Sequence, residues 1–435
     1  MRRISVIGLG YIGLPTAILA AQSDFEVFGF DIDHEKIKKI NTGQMPIAEP
    51  GMDEDLLSVL SKGTFKAFKD LQYADCFIIT VQTPIKENKL ADLSYVFSAG
   101  ELVAKRLMPG NLVILESTVP VGTTELLATQ LEEISGLKLG IDFFVSHCPE
   151  RVIPGKILKE LISNDRIIGG MCHKACDLSK RFYSKFVKGF LHITDDRTAE
   201  LVKLVENSCR DVQIAFANQV AAMAMRAGVN PFQVIEFANK HPRVKILAPS
   251  TGVGGHCVAV DPYFLIESFP EQSTLLQAAR QINNNKPYQV LDIIWDKIEW
   301  LRTRGIEKPK VSVLGITFKP NVDDIRESPS LKIALELNRK KDLIDLCIFD
   351  PNIPIESMQK LGLPTKYDLL ELLRNSDLIA ILVKHKEFEA LPESAFDGKL
   401  LVDPCGLLYD MHMKKSKDLL TGLMQFKGTL GQLGI

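Results

Sequence analysis

No apolar run in the 435-residue chain reaches the roughly 18 residues of a membrane-crossing helix, so no helical span is expected. An excess of charge of one sign is also lacking: 52 Lys and Arg stand against 54 Asp and Glu, a net charge of -2. Without a basic surplus, neither a nucleic-acid backbone nor an anionic membrane is expected as a partner. Cysteine is sparse. Cys76, Cys148, Cys172, Cys176, Cys209, Cys257, Cys347 and Cys405 are scattered and form no dense framework. Reduced thiols in a cytoplasmic protein are therefore expected. Cys172 and Cys176 flank His173, but no second ligand pair follows at zinc-finger spacing, and no metal is expected. No secretory leader is expected, because Met1-Arg2-Arg3 runs straight into the strand-like ISVIG.

What is present is the composition of a globular protein, 46% hydrophobic and 24% charged, in a chain long enough for two or three domains. RISVIGLG, FEVFGFD, CFIITVQTP, NLVILEST and DFFVSHCPE read as strands, and YIGLPTAILAAQ and LSYVFSAGELVAKRL as helices. That alternation predicts a parallel sheet covered on both faces. From about Asp195 to Ala227 there is neither proline nor glycine, which predicts one long helix. Gly228 closes it and Asn230-Pro231 opens the next. The helix reads as a spine between domains or as a dimer seam. Beyond Pro309 the strand pattern returns in KVSVLGITF, DLCIFDP, SDLIAILV and KLLVDP. The fold class is α/β: two Rossmann-like domains joined by a long central helix and a helical dimerisation region. The expected domains are residues 1–195, 196–304 and 305–435.

Gly8, Gly10 and Gly13 follow the first strand and open a helix, with Tyr11 and Ile12 between them. The glycines allow a tight turn and close approach of a pyrophosphate, and the helix N-terminus supplies free N–H groups. Asp31, 18 residues after Gly13, ends the next strand and is read as the acceptor of ribose hydroxyls, favouring NAD over NADP. FAD uses the same fingerprint, but nothing else in the sequence suggests a flavin. Asp33 is read as solvated. The later unit keeps one glycine, Gly315, and loses the fingerprint. Lys319 and Arg326 lie in its loop, and Ser328-Pro329 caps the next helix, as in a nucleotide unit adapted to another phosphorylated ligand.

Lys203 and Asn207 stand four apart on the long helix and share a face. Cys257 follows Gly252, Gly254 and Gly255, and Asp261 comes four residues later. A thiolate that attacks a carbonyl, a lysine and an asparagine that hold the oxyanion, and an aspartate that handles water or its proton make an acyl-transfer set. Coupled to NAD, the set suggests oxidation through an aldehyde held on sulfur, then a thioester, then hydrolysis. Cys148 beside His147 competes as nucleophile, but neighbours on a strand face opposite ways, and a packed thiol is expected there.

With GLGYIGLP, ESTVPVGTTE, CPERVIPGK, AELVKLVENSCRD, GVGGHCVAVDPYF and GITFKPNVDDIRESPS in order, the chain resembles the UDP-sugar 6-dehydrogenase family. The resemblance implies oxidation of a UDP-hexose C6 alcohol to a carboxylate with two NAD, and a homodimer or higher homo-oligomer. It implies that Cys257 is the nucleophile, that Lys203 and Asn207 orient C6, and that Asp261 assists proton transfer. Thr118 and Glu150 are implied near C6 and the water, with Thr83, Thr118 and Arg326 on the cofactor side. Arg151, Gly254, His256 and Lys319 are implied to contact substrate, and Arg243 to reach a neighbouring subunit's substrate.

His256 stands where UDP-glucose relatives usually carry serine, and CPERVIPG and HPRVKIL look like the branch acting on UDP-N-acetylhexosamines. UDP-N-acetyl-D-mannosamine is the expected substrate, for surface-polysaccharide precursors. UDP-GlcNAc, UDP-GalNAc and UDP-glucose remain alternatives, and so does a non-catalytic NAD-binding scaffold or sensor. LLVDPCGLL departs from the usual family ending.

Overall fold

The computed structural model describes residues 1–416 except 48, 154 and 367. The last 19 residues of the third expected domain lie outside the described residues. The chain forms two compact units: Met1–Asn207 with Val260–Ser273, and Ser208–Ala259 with Thr274 onward.

The first unit is built on one sheet. Its strands are β1 (Arg3–Ile7), β2 (Glu26–Phe30), β3 (Phe65–Phe68), β4 (Cys76–Ile79), β5 (Leu112–Leu115), β6 (Phe144–His147), β7 (Arg166–Gly170) and β8 (Leu191–Thr194). They lie in the order β3-β2-β1-β4-β5-β6-β7-β8. Every pairing is parallel except β6 with β7. The antiparallel pair departs from the expected all-parallel sheet. Central strands such as CFII and LVIL are buried at every position, as a sheet covered on both faces requires. Helices Gly13–Gln22 and His173–Tyr183 bury apolar residues on one side of it, while Ser94–Ala104 and Thr123–Ser135 contribute to a second core.

The glycine-free stretch forms a single 31-residue helix, Asp196–Arg226. Its start is held to the first sheet in two ways. Glu200, fully buried, accepts from Gly122 N, Thr124 N and the Thr124 hydroxyl at 2.6–2.8 Å, capping helix Thr123–Ser135 from outside. Gly169 provides the contact point: a Cβ there would lie 2.5 Å from Ala199 Cβ and 2.6 Å from Asp195 O. As expected, Gly228 (φ 72°) follows the helix, and the Asn230 side chain accepts from Phe232 N and Gln233 N ahead of Pro231.

In the second unit, β9 (Lys310–Leu314), β10 (Asp345–Phe349), β11 (Leu378–Ile381) and β12 (Leu400–Val402) make a parallel sheet in the order β10-β9-β11-β12. Helix Thr274–Arg302 packs on it through Val290, Ile294 and Ile298. The same helix donates Arg280 and Asn283 to the buried Asp211 carboxylate, at 2.7 and 2.8 Å. Ser328 caps helix Pro329–Arg339, its hydroxyl accepting from Leu331 N at 3.2 Å.

The opening turn of each sheet has the same construction. Gly8 (φ 95°) donates to Phe30 O at 2.8 Å, and Gly315 (φ 87°) donates to Phe349 O at 2.9 Å. The next residue then donates to the carboxylate ending the neighbouring strand: Leu9 N to Asp31 at 2.9 Å, Ile316 N to Asp350 at 2.7 Å. Among the described residues no helix is long and apolar enough to cross a membrane.

Candidate active site

The first glycine turn has the form of a pyrophosphate cradle. A Cβ on Gly13 would lie 1.8 Å from Gly8 O and 2.4 Å from the Thr80 hydroxyl, whereas nothing lies within 4 Å of one on Gly10. Gly13 therefore lets the helix start against the strand, and Gly10 leaves its outer side open. Ile12, at the N-cap, brings no side-chain cap to the helix that follows. These are the conditions under which N–H groups meet an anion. Asp31 is buried. Its Oδ2 accepts from Leu9 N at 2.9 Å and from Lys36 Nζ at 2.8 Å, and its Oδ1 from Asp33 N at 2.9 Å. Lys36 escaped the sequence reading. Its signal was a lysine five residues past Asp31, on the helix that Asp33 starts. Asp33 is exposed but more than solvated: it caps helix His34–Asn41, accepting from Glu35 N and Lys36 N. Those amide donors and Lys36 hold its carboxyl below the usual range. Thr83 and Thr118 meet, the Thr83 hydroxyl donating to Thr118 O at 2.6 Å. The residues of this turn fit a dinucleotide.

Lys203 is the electrostatic centre of a second group in the same unit. It is half-buried on the long helix, one turn before Asn207. Asn207 Nδ2 donates to Asp261 Oδ2 at 2.5 Å. Asp261 is buried at the start of helix Asp261–Ser268. Burial pushes its carboxyl up to about 6, against the pull of Lys203 and Asn207. Glu150 is buried too, and its Oε1 has no hydrogen-bond partner among the described residues. Burial pushes it up to about 7, while Lys203 and Arg166 oppose the rise. Two carboxyls that change charge near neutrality beside one lysine suit proton transfer.

Beside them lies an ion cluster that sequence could not place. Buried Arg166 pairs with Glu116 and donates to Cys148 O at 3.1 Å, and the Tyr183 hydroxyl donates to Glu116 at 2.5 Å. Arg151 forks onto Glu206, at 2.6 and 3.1 Å. Cys148 is a packed thiol, as expected: it is fully buried, and burial pushes it up to about 12.

Glu150→Gln separates fold from function. In the folded protein the Glu150 carboxyl titrates at about 7, above its ordinary 4.5. The native state thus holds a proton that the unfolded chain gives up, and stability falls as pH rises from 4.5 to 7. The variant lacks that penalty. Its melting temperature should match wild type at pH 4.5 and exceed it by about 5 °C at pH 8, while turnover drops. Equal melting temperatures at pH 8 would contradict the buried carboxylate.

In the second unit Cys257 and His256 are exposed. The loop before them is packed rather than loose. Gly255 (φ 80°) donates to Arg326 O at 3.0 Å. A Cβ on Gly254 would lie 2.7 Å from Glu327 O and 2.8 Å from Phe318 Cβ. The glycines therefore serve to seat the loop on segment 318–329 as well as to bare the thiol. Lys319 is half-buried in that segment. Burial lowers its amine and Arg210 adds to this, while Cys257 and Asp324 act against it, so lysine and thiol are within electrostatic reach. The Arg326 guanidinium pairs with Asp324 at 2.6 Å. Asp324 also feels His256. Arg243 is exposed in a loop that Asn239 closes through two bonds with Ile246, at 2.7 and 2.9 Å. Among the described residues no group of three or more His, Cys, Asp or Glu could hold a metal.

A glycine turn built for pyrophosphate and titrating carboxyls grouped around a lysine are the equipment of a dinucleotide-dependent oxidoreductase. The chain matches the UDP-glucose/GDP-mannose dehydrogenase family along most of its length: the NAD-binding domain over residues 2–187, the central domain over 197–285 and the UDP-binding domain over 312–410. It is 41% identical over 419 residues to an NDP-N-acetyl-D-galactosaminuronic acid dehydrogenase of Ralstonia nicotianae, covering 93% of this chain and 96% of that one. It is 44% identical over 397 residues to a UDP-N-acetyl-D-mannosamine dehydrogenase of Campylobacter jejuni, covering 89% and 96%. A solved UDP-D-ManNAc dehydrogenase of Pyrococcus horikoshii superposes with a TM-score of 0.85 at 42% identity, covering 93% and 96%. The chain belongs to the UDP-glucose/GDP-mannose dehydrogenase family and is an NAD-dependent nucleotide-sugar dehydrogenase.

Proposed function

We propose that the chain oxidises the C6 alcohol of UDP-N-acetyl-D-mannosamine to the uronate, supplying a surface-polysaccharide precursor. The observation that carries the reading is the group of Asp261, Asn207 and Glu150 around Lys203, on a chain that bares Cys257 four residues before Asp261. NAD, when bound, accepts a hydride from C6 in each of two oxidations. Asp261 takes the proton of the C6 hydroxyl in the first, with the Lys203 ammonium and Asn207 holding the oxygen. The exposed Cys257 thiol then gives its proton to solvent as its sulfur adds to the aldehyde carbon, and Lys203 and Asn207 stabilise the oxyanion. Loss of the second hydride leaves a thioester. Water deprotonated by Asp261 or Glu150 cleaves the C–S bond, giving the carboxylate and returning the thiol.

Thr118 and Glu150 are assigned near C6 and the water; Gly8, Gly10, Tyr11, Ile12, Gly13, Asp31, Thr83, Thr118 and Arg326 to the cofactor; and Arg151, Arg243, Gly254, His256 and Lys319 to the substrate. The three-domain division at residues 195 and 304 and a cytoplasmic location belong to the same reading. A homodimer or higher oligomer is supported by apolar side chains left exposed on the long helix, among them Val205, Phe216 and Met223.

The mannosamine assignment is supported by the names of the Campylobacter and Pyrococcus relatives. The Ralstonia relative favours a second reading, the galactosamine sugar. NADH yield from limiting UDP-ManNAc, UDP-GalNAc, UDP-GlcNAc and UDP-glucose decides among them. Two NADH per UDP-ManNAc is the expected result. Two per UDP-GalNAc moves the substrate, and one per sugar removes the thioester route. No NADH at all, with NAD still binding, would favour a scaffold or sensor.

A further inference from the structure

His147 is fully buried, and neither ring nitrogen has a hydrogen-bond partner among the described residues. Orphaned buried polar groups are costly, and phenylalanine would fill the space without them. The sheet indicates what the ring faces. His147 ends β6 and lies directly across from Gly169 on β7. Residues opposed across two strands project to the same face. On that face the start of the long helix presses on Gly169 through Asp195, Asp196 and Ala199. Ala199, Lys203 and Asn207 follow at four-residue spacing, so they form one stripe of that helix.

The other face holds different groups. Ser146 and Cys148 alternate with His147, and the Ser146 hydroxyl meets that of Ser179 at 2.7 Å. Burial pushes the imidazole down to about 3, with the Leu115 backbone opposing this and the charges of Arg166 and Lys203 adding to it. The ring is therefore uncharged and keeps a lone pair. Lys203, for its part, makes no hydrogen bond or ion pair among the described residues. A buried acceptor without a donor thus lies on the face along which the Lys203 ammonium stands.

We infer that His147 is a positioning residue for the reaction: its neutral imidazole accepts from the Lys203 ammonium and fixes its direction. The inference rests on the role proposed above for Lys203. The test compares full-length wild type, His147→Phe and His147→Gln. Acetylation of Lys203 by acetic anhydride at pH 8 is mapped by peptide mass spectrometry, alongside thermal melting and steady-state kinetics. The Phe variant should fold with an undiminished melting temperature. Its Lys203 should acetylate about threefold faster, and its kcat should fall about 10-fold with the KM for NAD unchanged. Gln, which keeps an acceptor, should restore most of both.

Wild-type acetylation and kcat in the Phe variant would overturn the inference. So would failure of both His147→Phe and His147→Leu to fold while Gln folds, because the nitrogen would then serve the fold alone. Should wild type oxidise none of the sugars, the functional reading fails by itself. Acetylation still decides this one: faster labelling in Phe supports it, and equal labelling overturns it.

Discussion

Cys257→Ser should lower kcat by about 10³-fold or more, with NAD binding and melting temperature unchanged. Serine preserves the size of the exposed side chain but presents a hydroxyl, which is scarcely ionised near neutrality, where sulfur gives a good nucleophile and a good leaving group. The loop should survive, because Gly254 and Gly255 rather than the thiol seat it on Phe318 and Glu327. NADH release at limiting sugar is the measurement. Turnover that persists at two NADH per sugar would remove sulfur from the mechanism. A variant that still gives one NADH per sugar would stop at the aldehyde and locate the loss in the second oxidation.

Lys203→Met should cost about 10²- to 10³-fold in kcat, the usual loss on removing a group that stabilises an oxyanion. It should also move the pH profile. Lys203 lowers the pKa of both Glu150 and Asp261 against burial. Without it both carboxyls rise further, so the ascending limb of the rate profile, expected between about 6 and 7 in wild type, shifts to higher pH. A rate loss with an unmoved limb would confine Lys203 to the substrate. An unchanged rate would withdraw it from the chemistry.

The alternation of strands and helices was legible because a doubly covered sheet writes its strands as apolar runs. What escaped were β3, β7 and β8. FKAF is four residues with an exposed lysine, and LHIT, at the sheet edge, has no fully buried position. RIIGG ends in glycines because Ala199 presses on one and Cys176 on the other, contacts with no local trace. The site divided the same way. Lys203 with Asn207, and Cys257 with Asp261, lie four residues apart, so helix periodicity and loop composition revealed them. Burial of Glu150 and the pairing of Arg166 with Glu116 depend on strands far apart in sequence. His147 drew notice only as a neighbour of Cys148, and its orphaned nitrogens appear only once the sheet is formed.

The paired opening turns of the two sheets carry one more meaning. A carboxylate offers about four lone-pair directions. Asp31 spends three, on Leu9 N, Lys36 Nζ and Asp33 N. Asp350 accepts from Ile316 N, Thr317 N and His385 Nε2 on Oδ2 and from Asn352 N on Oδ1. Each carboxylate thus keeps one acceptor direction on Oδ1, while Oδ2 is held by a backbone amide and a lysine in the first sheet and by two amides and the buried His385 in the second, so a lysine anchors one turn and a histidine the other.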